Sequence, residues 1–321
     1  MKGFLIKFAI LVNSLVFSAV AFAVPHPSSL LAQMQEASQT LNYEFSYITI
    51  NRGTIDSMRY RHAVVNQTPL VQLLQLDGPE NQVLRKGKQI GYFFEQGSGP
   101  FSINGDYIVD GLPAIVFTDL TQLAKLYDFL AVGRLRVADS TCLGVRIIPK
   151  DGLRYSYIVW VDEQSKLPLQ IELLDRNSEM LEQFRVVSYL IGEQVKTTMQ
   201  EVSKLNFPPL IGQETGSAAN VTFDWRSDWM PSGFKEINRS RQQLPDSTTT
   251  FVDTLLFSDG LFTFSINVLP LNRESQSQHF QHGRKTIHTE SRLGYEIVVI
   301  GEIPQNTARR VASNVVFTGT K

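Results

Sequence analysis

The chain has one cysteine in 321 residues, Cys142. A lone thiol closes no internal disulfide, so stability must come from ordinary apolar cores. Cys142 lies in a strand-like run, residues 141–148, and reads as a small buried apolar side chain. An excess of either charge is also missing, with 30 basic side chains against 31 acidic. No global field therefore draws nucleic acid to the protein. Beyond the N-terminal leader, no stretch approaches the roughly 18 uninterrupted apolar residues of a membrane-spanning helix. Catalytic motifs are absent: there is no G-x-S-x-G, H-E-x-x-H, C-x-x-C or phosphate-cradling glycine loop. Neither an enzyme activity nor a cofactor is indicated. His279 and His282 are three apart, with His288 further on. Residues 276–283 read as a polar loop with no carboxylate or cysteine beside the pair, so no metal site is expected. His62 reads as a polar-face strand residue, and Asp106 and Asp110 as loop acids framed by Gly105 and Gly111.

What is present begins at the N-terminus. Lys2 and Lys7 precede an apolar run, and Ala21-Phe22-Ala23 supplies small residues at the two positions that signal peptidase reads. Residues 1–23 are predicted to be a secretory signal peptide, with the mature chain starting at Val24. The destination implied is the periplasm, or secretion.

One helix follows, over residues 28–40, with Ser28 and Ser29 able to cap it. The apolar period then changes to two. Strands are predicted near residues 55–65, 69–76, 88–95, 135–138, 142–149, 153–161, 167–175 and 180–190, separated by turn residues such as Asp77-Gly78 and Asp151-Gly152. Helical pieces are expected near 114–117 and over 119–130, the latter capped by Asp119. Close spacing favours antiparallel hairpins. Several strands are apolar on both faces: Tyr155, Tyr157 and Val159 on one side, Ile158 and Trp160 on the other, with Phe93 and Phe94 adjacent. Either both faces are covered or one lines an apolar cavity.

Around residues 206–220 the pattern gives way to Pro, Gly and Ser, a predicted linker. Residues 24–205 then form a large, mainly β domain. Residues 221–321, with strands and one late helix over 304–313, form a smaller α+β domain.

Binding candidates follow from these patterns. Arg85, Lys86 and Lys88 cluster at a hairpin, and Arg59 and Arg61 share one strand face. Both groups are candidates for an anionic lipid headgroup. Tyr43, Phe45, Tyr47, Phe93, Tyr155, Tyr157 and Trp160 are candidates for the cavity lining. In the small domain, Trp225, Trp229, Phe234, Arg239, Arg241 and Phe262 are candidates for a partner surface, although aromatic residues there serve equally well as core.

Long runs of residues carry a family resemblance. Trp160-Val161-Asp162, followed after three residues by Lys166-Leu167-Pro168-Leu169-Gln170-Ile171, resembles a strand–turn–strand of the LolA/LolB lipoprotein carriers. That resemblance implies an unclosed, curved antiparallel β-barrel with helices plugging an apolar cavity. Gly105-Asp106-Tyr107-Ile108-Val109-Asp110, Asp151-Gly152-Leu153-Arg154-Tyr155-Ser156-Tyr157, Trp229-Met230-Pro231-Ser232-Gly233-Phe234 and Phe257-Ser258-Asp259-Gly260-Leu261-Phe262 resemble the RseB/MucB family across both domains. The resemblance implies a periplasmic negative regulator of the sigma-E envelope-stress pathway. Such a protein would bind the periplasmic domain of the anti-sigma factor RseA, protect it from a stress protease, and be released by lipopolysaccharide or another lipid. The small domain would carry most of the partner contact and the large domain the lipid. A periplasmic lipid or lipoprotein carrier is the alternative reading, and self-association is left open.

Overall fold

Alternating apolar residues do build strands, and a computed structural model shows how they assemble. It describes residues 26–51, 53–94, 99–211, 221–244, 250–271 and 276–318. The predicted signal peptide, and the predicted linker beyond residue 211, lie outside the described residues. The large domain is one antiparallel sheet of eleven strands: β1 (Tyr43–Asn51), β2 (Thr54–Val65), β3 (Thr68–Gln75), β4 (Asn81–Lys86), β5 (Gln89–Phe94), β6 (Phe101–Asn104), β7 (Tyr127–Val137), β8 (Ser140–Pro149), β9 (Ser156–Asp162), β10 (Pro168–Leu174) and β11 (Met180–Ile191). Their order is β6-β5-β4-β3-β2-β1-β11-β10-β9-β8-β7. The end strands do not pair with each other, so the sheet is unclosed.

One face of this sheet is the core. Tyr43, Phe45 and Tyr47 on β1 point inward with Tyr60 on β2, Phe184 on β11, and Tyr157 and Val159 on β9. The helix α1 (Pro27–Thr40) lays Leu30, Leu31 and Met34 onto that face, all fully buried. A short 3-10 turn (Ala114–Val116) adds Ile115 and Val116. The opposite face is covered locally. The helix α3 (Glu193–Val202) places Val195 and Met199 on Ala63 and Leu70. Residues 207–211 run beside β6, where Ser102 N–H donates to Pro209 O at 2.8 Å and Ile211 N–H to Ser102 O at 2.9 Å. Phe207 and Pro208 of this segment crowd Gly91, whose absent Cβ leaves them room.

Three local elements differ from the sequence pattern. The helix α1 starts at Pro27, so Ser28 is not its cap; Ser28 Oγ instead lies 2.8 Å from His26 Nδ1. The helix α2 (Leu120–Leu126) is capped by Asp119 as expected, but ends early. Residues 127–130 continue its apolar spacing yet form strand, because Tyr127 is buried and its backbone pairs with Pro149. Residues 278–282 are no polar loop. They form β16 (Gln278–His282), with His279 opposite His288 on β17 (Lys285–Arg292).

The small domain has the sheet order β13 (Lys235–Gln243), β14 (Phe251–Ser258), β15 (Thr263–Pro270), β18 (Tyr295–Gly301), β17, β16. The helix α4 (Gln305–Ser313) covers one face through Ala308, Val311 and Ala312. The short strands β12 (Trp225–Ser227) and β19 (Val315–Phe317) pair beside it. Apart from the small cluster under α3, the described core is one connected cluster that runs from Leu30 of the large domain to Val315 of the small one.

His62 is buried at 3% exposure, stacked on Tyr43, with Nδ1 2.7 Å from Leu41 O. Since a carbonyl only accepts, Nδ1 carries the proton. Burial lowers the His62 pKa below its ordinary 6.5. The unfolded chain therefore takes up that proton first, and stability falls as pH drops through about 6.5. His62→Gln should shrink the stability difference between pH 7.5 and pH 5 in urea titrations; an undiminished difference contradicts this role.

Candidate functional site: the domain interface and the inner sheet face

The turn between β8 and β9 carries Arg154. Its guanidinium is 1% exposed and points into the small domain. Nε donates to Asp259 Oδ2 at 2.7 Å and Nη1 to Asp151 Oδ2 at 2.6 Å, while Nη2 donates to Ser232 O. The Phe234 and Tyr127 rings flank it at 5.0 and 5.7 Å. Asp259 divides its work between its oxygens. Oδ1 accepts the backbone N–H groups of Leu261 and Phe262 at 2.9 and 2.8 Å, which shapes the β14–β15 turn. Oδ2 takes Arg154 and the Tyr127 hydroxyl at 2.9 Å. Burial, with this carboxylate beside it, holds the Tyr127 pKa well above its ordinary value, so the phenol stays a donor.

The turn also delivers Phe262 to the large domain. Its ring stacks on Tyr157 at 5.7 Å and meets Tyr155 edge-on at 5.9 Å. The Tyr155 hydroxyl donates to Ile303 O at 3.0 Å. A second arginine reaches the other way. Arg284 of the small domain bonds Glu302 at 3.0 Å and lies 3.7 Å from Glu182 on β11. Beside it Gly283 (φ +55°) fits against Asn51, where a Cβ would lie 2.5 Å from Oδ1.

The predicted lining residues separate by strand alternation. Tyr43, Phe45, Tyr47, Tyr155 and Tyr157 lie on the inner face and are covered, by α1, by one another and by Phe262. Phe93 and Trp160 point to the outer face. Phe93 meets Phe207, and Trp160 crowds Gly144. An open hollow over these residues is therefore not the arrangement seen. A cleft of about 180 Å³ lies between Pro27 and Leu30 of α1 and Leu143, Gly144 and Val145 of β8. That is room for a benzene-sized group rather than a fatty tail.

The predicted headgroup cations are dispersed and engaged. Arg59 and Arg61 share Glu44 at 3.6 and 2.5 Å on the outer face. Arg85, in register with Val71 on the inner-face row, donates to Gly87 O at 2.8 Å. Lys86 reaches Ser203 O at 3.0 Å, and Lys88 lies 3.6 Å from Asp106 in the open. Among the predicted partner residues, Phe234 and Phe262 are spent on the interface. Trp225 is buried, donating to Asp253 at 3.2 Å. Arg239, Arg241 and Trp229 stay partly exposed. Arg239 pairs with Glu236, Arg241 with Asp253, and Arg310 covers the Trp229 ring at 3.9 Å. Neither Arg154 nor Asp259 is among the binding candidates of the sequence, because Asp151-Gly152 and Asp259-Gly260 are both turn dipeptides. Cys142 is fully buried, and burial pushes its thiol pKa up to about 12.

Residues 26–211 match the MucB/RseB N-terminal domain, and residues 219–316 the MucB/RseB C-terminal domain. The chain belongs to the MucB/RseB family. It is 46% identical to the sigma-E factor regulatory protein RseB of Escherichia coli (strain K12) over 317 residues, covering 99% of each chain. It also resembles the solved complex of MucA and MucB from Pseudomonas aeruginosa, with TM-score 0.70 and 25% identity over 92% of this chain and 99% of that one. MucB solved alone gives TM-score 0.53 at the same 25% identity, over 90% and 97%. In this chain the Arg154–Asp259 tie joins the two domains within one core. Arg154→Met or Asp259→Ala strands a buried charge and should cost about 3–5 kcal/mol in urea unfolding. Adding Asp259→Asn to Arg154→Met removes the stranded charge at residue 259 while keeping an oxygen for the Leu261 and Phe262 amides, and should recover part of it; a double variant as weak as the singles would contradict a buried-charge origin.

Proposed function

We propose that the protein is a periplasmic regulator of sigma-E that binds the periplasmic domain of the anti-sigma factor RseA. Bound there, it shields that domain from a stress protease. It lets go when lipopolysaccharide or a related lipid occupies the large domain. The observation that carries the reading is the pair of MucB comparisons. At equal identity and nearly equal coverage, the fold of this chain superposes better on MucB with MucA, at TM-score 0.70, than on MucB alone, at 0.53. That difference supports reading the form described here, with the two domains tied, as the one that holds the partner. Arg239, Arg241 and Trp229 offer it a partly exposed surface, in which Glu236 and Asp253 pair the two arginines and Arg310 lies over the Trp229 ring.

The energetics suit a sensor of misplaced lipid. A chain of about 12 carbons gains on the order of 10 kcal/mol on leaving water, at roughly 0.8 kcal/mol per methylene. Lipid already in a bilayer recovers far less, because its chains are dry there. The covered inner face raises the threshold further, since side chains must move before a tail enters. Weakening the partner complex about 100-fold needs only about 2.7 kcal/mol of coupling between the two sites.

A pull-down of the mature protein with a purified anti-sigma periplasmic fragment tests this. The fragment should be retained, lipopolysaccharide should release it, and Arg239→Ala should weaken retention without lowering the melting temperature. A lipid carrier would ignore the fragment. Absence of retention, or retention indifferent to lipopolysaccharide, would overturn the proposal.

A further inference from the structure

A lipid entering the large domain needs a cation for its head and an apolar wall for its tail. The end of the inner face beside the small domain has both, and both are already taken by this chain. The cation is Arg154, held by carboxylate Oδ2 of Asp259 at 2.7 Å with neither side chain exposed beyond 1%. The wall is Tyr155 and Tyr157, covered by Phe262. Asp259 and Phe262 stand three residues apart on one turn. Between them Gly260 O lies 3.2 Å from Thr118 Oγ1 of the large domain. The turn thus presents a carboxylate followed at once by an apolar group, the chemistry of an anionic amphiphile. Arg154 is suited to the replacement: Nη1 stays with Asp151 of the large domain, while withdrawal of the small domain frees Nε from Asp259 and Nη2 from Ser232 O, a pair of donors that a carboxylate or phosphate can take together.

We propose that the 259–262 turn of the small domain is a built-in stand-in for an anionic amphiphile, and that Arg154 is the headgroup site the ligand takes when the turn withdraws. The ligand is a carboxylate or phosphate on an alkyl chain. This rests on the lipid-binding reading above and adds a mechanism to it: ligand and small domain compete for one cation and one aromatic wall. A ligand that wins Arg154 removes the tie between the domains, so occupation and undocking are one event. Arg59, Arg61, Lys86 and Lys88 cannot couple in this way, since none of them touches the small domain sheet in the contacts they make.

Competition makes a sharp prediction. The apparent affinity for the ligand is reduced by the fraction of molecules in which the turn is withdrawn. Weakening the turn should therefore tighten binding. Dodecyl phosphate, dodecanoate and neutral dodecyl maltoside are titrated calorimetrically into the full mature chain, each below its micelle concentration. Phe262→Ala and Asp259→Asn should each bind the two anions about tenfold more tightly than the unchanged protein, the equivalent of losing a modest part of one aromatic burial. Adding Arg154→Met to Phe262→Ala should remove the preference for the anions over the maltoside. A gain confined to dodecyl phosphate assigns the site to phosphorylated lipids, and one confined to dodecanoate to fatty acids; either supports the proposal. Hydrogen exchange on the unchanged protein needs no substitution. Bound dodecyl phosphate should speed exchange at the Leu261 and Phe262 amides, which donate to Asp259. Binding without faster exchange there, or an equal gain for the maltoside, overturns the stand-in and leaves the lipid reading intact. No binding of any amphiphile by any form overturns both.

Discussion

The arrangement of this molecule depends on one buried ion pair. Arg154 and Asp259 are each stripped of water, which costs several kcal/mol per charge unless other bonds compensate. They do here. Arg154 also donates to Asp151 and Ser232, between two aromatic rings, and Asp259 accepts from Tyr127 and two backbone amides. Such a pair adds little net stability over an apolar substitute, but it tolerates few geometries. Its contribution is to fix where the small domain sits. The tie makes a definite docked state, and a definite docked state is what a ligand can be competent to disrupt.

Apolar contact surrounds the tie and does most of the holding. Domains within a chain move relative to one another unless their interface is large and hydrophobic. Here the core continues through the boundary, from Tyr157 to Phe262 and on to Phe264 and Ile266. Arg284 and Glu182 close a second, more exposed contact. A ligand that acts on this interface has to replace aromatic contact as well as charge, which explains why a molecule with a tail and an anionic head suits it better than a bare anion.

Strand alternation made most of the large sheet legible in the sequence, and the long matched runs made the family legible. The misses have separate physical causes. Strands β4 and β6 are short, and β4 is flanked by polar residues, so neither shows a clear period. The helix α3 buries only Val195 and Met199, too narrow a stripe to register. Tyr127 continues a helical spacing but obeys its ladder with β8. Alternation alone sets Trp160 on the other side of its strand from Tyr155 and Tyr157, so a lining that includes all three takes in both faces; which face Phe93 takes depends on the register of β5 with its neighbours, which the chain alone does not display. Arg154 and Asp259 were hidden by turn chemistry. One oxygen of Asp259 does make the expected turn, and the other makes the domain contact.

The two domains form one body held by a buried tie. Spin labels on exposed Gln200 of the large domain and exposed Lys235 of the small one measure this directly, as a distance distribution by pulsed electron resonance. A buried pair is screened little by salt, whereas surface pairs lose their attraction when the Debye length falls to about 3 Å near 1 M. One narrow distance population is expected in the free protein, unchanged from low salt to about 1 M. A broad distribution at low salt, or a second population that grows as salt is added, would contradict it.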